Sequence, residues 1–479
     1  MSVLNVPGFD LQPSAQRVPL KSNYITNFDF LNQYLPDTYE KEFERYGNRT
    51  IASFLRMVGA EMPSNSDLIK WAEQGRLHTK YVKCTTAALV NADEADFTIG
   101  DAGVPAFGAS NSIAIRKGQT VYISDNAGGG SAKAVVTKVD YATKVVSVAF
   151  YDNAGLPVAG AGLEFTMFIY GSEFRKGTVG MEDSLEADDF IFENSPIIIK
   201  DKYAVSGSDM AQIGWVEVTT ENGANGYLWY MKSEHETRLR FDDYLETAMI
   251  EAVPAGNTSG AATQAVAGAE MVGNKGSDGI FYAVEQRGNI WGGGNPTILA
   301  DWDSIISRLD KQGAIEENVV FVDRDFSFDI DDMLSQQSSN AAGGVSYGLF
   351  DNEKEMALNL GFTGFRRGYD FYKSDWKYLN DPTMRGGLPT GAGSGRVNGL
   401  LVPAGSTSVY DQILGKNAKR PFLHVRYRAS ETEDRRYKTW ITGSAGGAET
   451  SSLDAMEVHF LSERAVCTLG ANNFFLFQE

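Results

Sequence analysis

The sequence predicts an α+β protein with one long helix and a small inserted β-barrel. Fifty glycines in 479 residues, together with many short β-branched runs, argue against a helical bundle. An amphipathic helical period runs without a break over residues 227–252. Within residues 111–170, four or five strand-like runs alternate with glycine-rich or Asp/Asn turns, a pattern typical of a small closed barrel.

The composition indicates a large buried core and a surface that repels other polyanions. Hydrophobic residues make up 43% of the chain, enough for roughly two to four structural units. Lys plus Arg (43) against Asp plus Glu (62) gives a net charge of −19, which disfavours wrapping by nucleic acid and binding to anionic membranes. Cys84 and Cys467 are too few for a disulfide scaffold. We expect no secretion signal, no membrane span and synthesis in a cytoplasm.

The first 79 residues are expected to form an arm followed by helices. Residues 1–34 are polar, proline-punctuated and aperiodic, and we predict an extended arm. Residues 35–79 are a predicted helical lead-in, with helices at Pro36–Val58 and Ser66–Arg76. The second has Ser66 as a candidate N-cap and Arg76 placed to complement the helix dipole.

A long β-hairpin is predicted to carry the barrel. Its arms are residues 80–110 and 171–222, and the strand-like run Lys80–Val90 is expected to pair with Ser195–Gly207. The barrel, residues 111–170, interrupts the hairpin and is interpreted as a contact module with its tip around Asp125–Lys133.

The helix is predicted to lie within residues 223–256 and to span about 39 Å. One stripe, roughly 140° wide, gathers the apolar side chains, and charged residues cover the rest of the surface. The predicted buried residues are Tyr230, Thr237, Phe241, Tyr244, Leu245, Ala248, Met249 and Ala252.

Residues 257–415 are predicted to form a mixed α/β lobe, and residues 416–479 a closing set of strands. In the lobe, helix Pro296–Gln312 is followed by strand Glu317–Asp323 and by a helix that begins near Ser327.

No predicted catalytic, metal or cofactor site emerges from the motifs. Gly344–Gly348, "GVSYG", matches a nucleophile elbow with His424 and His459 downstream, but no hydrophobic strand precedes it, so Ser346 is interpreted as a loop residue. "HETRL" at His235 lacks the second histidine of a zinc-protease helix.

Two charged segments have a structural and a binding interpretation. The acidic run Asp323–Asp332 has carboxylates at a spacing that could hold a cation, but we expect Asp325 or Ser327 to cap a helix there instead. Segment Gly361–Leu379 interleaves aromatic residues with Arg366, Arg367, Lys373 and Lys377, which could stack on single-stranded bases; packing is the favoured interpretation.

The order of these parts resembles the Hong Kong 97 fold of the major capsid proteins of tailed bacteriophages. "ENSPIIIKDKYAVSGSDMAQIGW" (Glu193–Trp215) resembles the returning E-loop strand, and "MEVHFLSERAVCTLGANNFFLF" is similar to the closing strands. "SDLIKWAEQGRLH" and the barrel-bearing hairpin resemble the crAss-like phage group. The resemblance implies an N-arm (1–34), an E-loop (80–110 and 171–222), a P-domain spine helix (223–256), an A-domain (257–415) and P-domain strands (416–479).

The resemblance implies a structural protein, not an enzyme. It would assemble as pentamers and hexamers into an icosahedral virion capsid in the host bacterial cytoplasm, enclosing double-stranded DNA without specific binding. Portal and possible scaffold or decoration proteins would be partners, with no cofactor. The hairpin is rebuilt by the barrel, so we expect no covalent cross-link between subunits.

Three other functions remain open. They are an encapsulin-like compartment shell, a serine-esterase-like hydrolase acting through Ser346, and carbohydrate binding by the barrel.

Overall fold

The computed structural model of the chain comprises two compact units, Met1–Ile69 with Asn194–Glu479, and Lys70–Glu193. It describes residues 60–75, 80–91, 93–100, 113–127, 130–152, 163–182, 189–211, 217–219, 225–256, 274–313, 315–340, 363–389, 395–411, 416–445 and 449–479. The predicted arm 1–34, the predicted helix Pro36–Val58 and Ser346 lie outside the described residues.

The strands are numbered along the chain. The first nine are β1 (Ala60–Ser64), β2 (Ile69–Gln74), β3 (Lys80–Asn91), β4 (Glu94–Ile99), β5 (Gln119–Asp125), β6 (Ser131–Asp140), β7 (Val145–Phe150), β8 (Glu164–Ser172) and β9 (Asp189–Asn194). The next seven are β10 (Ile197–Ser206), β11 (Glu217–Thr219), β12 (Asn225–Tyr227), β13 (Asn289–Gly292), β14 (Glu317–Val322), β15 (Gly364–Arg367) and β16 (Tyr369–Asp375). The last seven are β17 (Val397–Pro403), β18 (Ser406–Asp411), β19 (Lys416–Pro421), β20 (Leu423–Arg428), β21 (Lys438–Gly443), β22 (Ala455–Thr468) and β23 (Phe475–Gln478).

Six α-helices lie in the described residues. They are α1 (Gly207–Ala211), α2 (Leu228–Glu251), α3 (Ile280–Arg287), α4 (Leu299–Gln312), α5 (Arg324–Asn340) and α6 (Lys377–Asn380).

The second unit contains a closed six-stranded barrel in the order β3-β4-β7-β6-β5-β8. Every neighbouring pair is antiparallel, and alternate residues point inward to a core that is almost fully buried. The largest side chains of that core are Tyr81, Phe97, Phe165 and Met167.

The barrel begins about 30 residues earlier than predicted, at Lys80 instead of residue 111. The run Lys80–Asn91 pairs with β4 and β8, so the predicted pairing with Ser195–Gly207 is wrong. That later segment instead forms β10, which pairs with β22. Period-2 alternation identifies a strand but carries no information about its partner, and both segments are equally strand-like.

The predicted helix Ser66–Arg76 is wrong, because residues 69–74 form strand β2. The burial of β2 alternates residue by residue, and β2 pairs with β9 in a two-stranded ribbon. Across that ribbon, the ring centres of Trp71 and Phe192 are 6.2 Å apart, and Lys70 Nζ lies 3.0 Å from Glu193 Oε2. The Ser66 hydroxyl bonds to the backbone of Leu68 in a local turn, so it caps no helix.

The first unit contains a five-stranded sheet in the order β1-β20-β22-β10, with β21 also paired to β22. Strand β22 is the centre of this sheet because it has 14 residues, long enough to pair with three strands. Its residues 460–468 are buried on both faces.

Helix α2, the predicted long helix, has 24 residues and is about 36 Å long, and its middle packs on this sheet. Phe241 and Leu245 contact the sheet, and the Phe241 ring lies 5.7 Å from that of Phe460. Tyr244 was predicted to be buried but is 47% exposed, whereas Ile250 is buried and was not predicted. The buried stripe is therefore rotated slightly around the helix axis from the stripe that the helical period predicts. None of the described helices is both long and apolar enough to cross a membrane.

A six-stranded mixed sheet, β13-β23-β17-β14-β16-β15, forms the other lobe of this unit. Helices α4 and α5 cover one face through Trp302, Ile305, Phe326 and Ile330. The predicted closing strands do not all join one sheet, since β23 inserts here between β13 and β17. Phe475 and Phe477 face the α4/α5 side and Leu476 the opposite core, so this short strand is buried on both faces.

We predict that Phe241→Ala lowers the free energy of unfolding of the first unit by about 3–5 kcal/mol, because it leaves a cavity between α2 and β22. Tyr244→Ala, one helical turn along on the exposed side, is the matched control and should cost less than about 1 kcal/mol. Chemical denaturation followed by circular dichroism measures both; equal losses would contradict the observed packing.

We also predict that the two cysteines report on the two units separately. Burial raises the pKa of Cys84 in the barrel to about 12, and Cys467 is 2% exposed on β22. Both should resist iodoacetamide at pH 8, since the thiolate is the reactive form. As the denaturant concentration rises, Cys84 should be alkylated when the barrel unfolds and Cys467 when the first unit unfolds. Mass spectrometry of Cys467→Ala follows Cys84 alone, and that of Cys84→Ala follows Cys467 alone. Rapid alkylation of either thiol in the native chain would contradict its burial.

Candidate functional site

Helix α2 connects the two sheets of the first unit. Its middle packs on the five-stranded sheet, whereas Met249 and Ile250 near its end enter a second core. That core includes Val425 and Val466 from the five-stranded sheet and Leu400 from the six-stranded sheet. Because interiors are close-packed, a helix buried in both cores holds the sheets in one arrangement.

A polar cluster fixes the end of α2 to the six-stranded lobe. The Tyr378 hydroxyl donates to Glu251 Oε1 at 2.5 Å, and Arg385 Nη1 donates to Glu251 Oε2 at 3.0 Å. The Arg385 guanidinium also lies 5.2 Å from the centre of the Phe281 ring. Burial and the hydrogen bond to Glu251 raise the pKa of Tyr378, so its hydroxyl stays protonated and remains a donor. Glu251 is thus the common acceptor of this cluster.

Asn194 anchors the chain where it re-enters the first unit. Its side chain is 3% exposed, and its amide nitrogen donates to the carbonyls of Asp278 and Val466. Its oxygen accepts hydrogen bonds from the backbone N–H groups of Ser195 and Asp278 and from the Ser277 hydroxyl. These five bonds, of 2.7–3.0 Å, fix the start of β10 against β22.

The predicted barrel tip, Asp125–Lys133, lies at the β5–β6 turn. Asp125 is 7% exposed, and its Oδ1 accepts a hydrogen bond of 2.9 Å from the Ala127 N–H. Asp125 therefore shapes the turn itself. Residues 128–129 lie outside the described part, and a contact made by this tip stays a prediction.

The two histidines of the hydrolase alternative are far apart. His424 on β20 lies opposite Cys467 of β22, whereas His459 is itself on β22, opposite Trp440 of β21. Cys467 and His459 are eight residues apart along β22, about 26 Å. His459 stacks on Trp440 with ring centres 5.1 Å apart, and its Nε2 lies 2.7 Å from the Thr442 hydroxyl. His424 Nδ1 likewise lies 3.2 Å from the Pro421 carbonyl oxygen, so each histidine has local partners. A hydrolase would need only one of them beside Ser346, which lies outside the described residues.

The acidic run 323–332 is distributed around helix α5. Asp323, and not the predicted Asp325 or Ser327, caps the helix, because its Oδ1 accepts the Phe326 N–H at 2.7 Å. Its other oxygen is 3.0 Å from Arg396, and burial raises its pKa despite that cation.

The other carboxylates of the run point elsewhere. Asp331 pairs with Lys373 at 2.6 Å, and Asp329 accepts a hydrogen bond from Asn295. Within the described ranges, no three His, Cys, Asp or Glu side chains are grouped so as to hold a metal ion.

Within residues 363–379, the described part of this segment, most aromatic side chains are packed, as the favoured interpretation predicts. Phe371 and Trp376 are at most 5% exposed and belong to the hydrophobic cores. Arg366, Arg367 and Lys373 pair with carboxylates of Asp370, Asp303 and Asp331. Tyr372 is the exposed exception, at 52%. Most of the described rings are therefore buried or partly buried and three of the four cations are paired, which favours packing over base stacking.

No protein-family model matches the sequence, and no curated protein matches it. Among solved structures, a chain from Microbacterium phage Oxtober96 is 10% identical with a TM-score of 0.38, covering 94% of this chain and 96% of that one. A chain from the capsid of a native GTA particle is 10% identical with a TM-score of 0.39, covering 94% and 97%. A chain of the holo-SrpI encapsulin complex from Synechococcus elongatus PCC 7942 is 11% identical with a TM-score of 0.33, covering 61% and 77%. All three TM-scores lie below 0.5, so these similarities alone assign neither a fold nor a function.

We predict that Glu251→Ala destabilises the first unit by about 1–3 kcal/mol, because it leaves Arg385 and the Tyr378 hydroxyl partly buried without their acceptor. The control is Asp303→Ala, which breaks the exposed pair with Arg367 and should cost less than about 1 kcal/mol. The denaturation midpoint of the first unit measures both. A Glu251→Ala loss no larger than that of the control would show that the cluster does not hold the helix end.

Proposed function

We propose that this chain is the major capsid protein of a tailed bacteriophage, with a Hong Kong 97-type fold. Its function is to self-assemble into the pentamers and hexamers of an icosahedral shell that encloses double-stranded DNA. One observation carries the proposal: a 24-residue helix lies along a five-stranded sheet and joins it to a second α/β lobe, while a separate unit is inserted between residues 69 and 194.

In this proposal, each part of the fold takes the role of one element of that family, in the same order along the chain. Helix α2 is the spine helix, the five-stranded sheet with α2 is the P-domain, and the six-stranded lobe is the A-domain. The ribbon β2/β9 is the base of the E-loop, and the barrel β3–β8 is its insertion. Residues 1–34 are the N-arm. The crAss-like phage group is the proposed subgroup, on the sequence resemblance alone.

Assembly of this kind depends on a rigid subunit and on the same contacts repeated between copies, and it needs no catalytic site. Two cores and the Glu251 cluster hold α2 in a fixed position, so each copy presents the same surfaces to its neighbours. Repeated weak contacts then close rings and shells, since avidity multiplies modest affinities. The hydrolase alternative needs Ser346 with only one of His424 and His459, and the Ser346→Ala experiment below tests it.

The net charge of −19 suits a shell around DNA. Like charges keep the packaged duplex from adhering, because phosphate contacts dominate nonspecific DNA affinity. In this proposal the chain works in the virion capsid, after assembly in the host bacterial cytoplasm. Portal, scaffold or decoration proteins are its partners.

We predict that the purified recombinant chain forms shells, tubes or five- and six-fold rings. Sedimentation velocity detects the fast-moving species, and electron microscopy of that fraction identifies its symmetry. Deleting residues 2–34 should reduce the assembled fraction while leaving Cys84 and Cys467 protected, because the arm is proposed to act between subunits.

Two results would contradict the proposal. One is a chain that stays monomeric even when scaffold candidates are co-expressed. The other is ester hydrolysis abolished by Ser346→Ala. Shells that hold a protein cargo and no DNA would indicate an encapsulin-like compartment instead.

A further inference from the structure

One side of the barrel exposes aromatic side chains between two lysines. Lys80 on β3 is directly opposite Phe168 on β8, Phe168 is opposite Tyr122 on β5, and Tyr122 is opposite Lys133 on β6. Directly opposed residues share one face of a sheet, so these four side chains form a continuous line across the barrel wall. We call this line the barrel row.

Two more tyrosines extend the barrel row. Tyr170 lies two residues beyond Phe168 on β8, and the centre of the Tyr170 ring is 5.8 Å from Lys133 Nζ. The Tyr151 N–H donates to the Lys133 carbonyl, which places Tyr151 at the same end. Phe168, Tyr170 and Tyr151 are 39%, 47% and 48% exposed. These rings leave a large apolar area in water, which stability alone does not require.

The opposite side of the barrel lacks this feature. The outward residues of β4 and β7 include no aromatic side chain and are mostly small or polar, among them Asp96, Thr98, Ser147 and Ala149. Closure of the barrel needs only the inward side chains, and those are apolar on every strand. The aromatic side chains on one outer wall therefore point to a ligand.

The charges of the barrel row favour an anionic ligand. Lys80 and Lys133 are exposed, and neither is ion-paired with a carboxylate among the described residues. Glu173 at the edge accepts a hydrogen bond from the Tyr151 hydroxyl. Glu164 lies four residues from Phe168 on β8, about 13 Å along the strand. The row is thus locally cationic in an acidic chain.

We propose that the barrel row binds a short stretch of single-stranded nucleic acid without sequence preference. Phe168, Tyr122 and Tyr170 supply ring faces for base stacking, and Lys80 and Lys133 contact phosphates at either end. From β3 to β6 the row crosses three strand spacings, an arc of about 14 Å along the curved outer wall, which corresponds to two to three nucleotides that follow this curve. A neutral glycan would use the rings but not the two lysines. This activity is separate from shell assembly, and duplex DNA is excluded because its bases are already stacked.

The test uses fluorescence anisotropy of a fluorescein-labelled twelve-nucleotide oligothymidylate titrated with the full chain, both unassembled and assembled, at several salt concentrations. Two phosphate contacts predict a slope of about −1.4 for log affinity against log salt. Lys133→Glu should weaken binding at least tenfold at low salt and flatten this slope. Phe168→Ala should weaken binding by about fivefold or more, since stacking contributes about 1–3 kcal/mol per base.

Lys138→Glu is the matched control, because it makes the same charge change at an exposed position of β6 away from the row. It should change affinity less than twofold. Protection of Cys84 from iodoacetamide shows that the barrel remains folded in every variant.

Four outcomes would overturn the proposal. They are no binding by either form at 50 mM salt, equal losses in Lys133→Glu and Lys138→Glu, equal affinity for a twelve-base-pair duplex, and displacement by a neutral glucose hexasaccharide. The last would reassign the barrel row to carbohydrate. Sedimentation of the same samples keeps the proposed shell function separate, since shells without oligonucleotide binding would contradict only the barrel row.

Discussion

The first unit depends on burying one stripe of helix α2 along most of its length. A 24-residue helix with charged residues on its other faces is not stable alone and needs an apolar surface of matching length. Strand β22 supplies most of that surface, through Met456, Val458 and Phe460. Residues more than 200 positions apart in the chain therefore meet, and the closing strands must be in place before the helix is fully buried.

Polar anchors make this arrangement specific where hydrophobic contact alone would allow sliding. Asn194 ties the start of β10 to β22, and Glu251 ties the end of α2 to the other lobe. Both lie next to chain crossings, and the side-chain oxygens of both residues accept the hydrogen bonds described above. Because Asn194 is held entirely within the first unit, the preceding 124-residue unit can be inserted there without loss of the contacts that fix the sheet.

Sequence periodicity was informative where one element determines its own pattern. It identified helix 227–252, helix 296–312 and the strands of the barrel between 119 and 172. It failed where the secondary structure or the sheet depends on a partner that is distant in sequence. Residues 69–74 are a strand because they pair with β9, and β23 belongs to a sheet that the order of strands along the chain does not indicate. The helix cap at Asp323 was missed because the choice among neighbouring polar residues rests on backbone geometry and on Arg396. Neither the barrel row nor the Asn194 anchor has a local sequence signal, since both depend on cross-strand register.

The proposed binding at the barrel row is compatible with the chain's net charge of −19, because the two act over different distances. At physiological ionic strength the Debye length is about 8 Å, so the net charge of the whole chain is screened across the width of the barrel. Lys80 and Lys133 act on phosphates that the neighbouring rings bring into contact, while the total charge still opposes broad adhesion of a duplex. Stacking therefore selects the ligand: only unpaired bases gain the ring contacts that offset the general repulsion. If both proposals hold, one chain encloses duplex DNA without binding it and still binds a single strand at the barrel row.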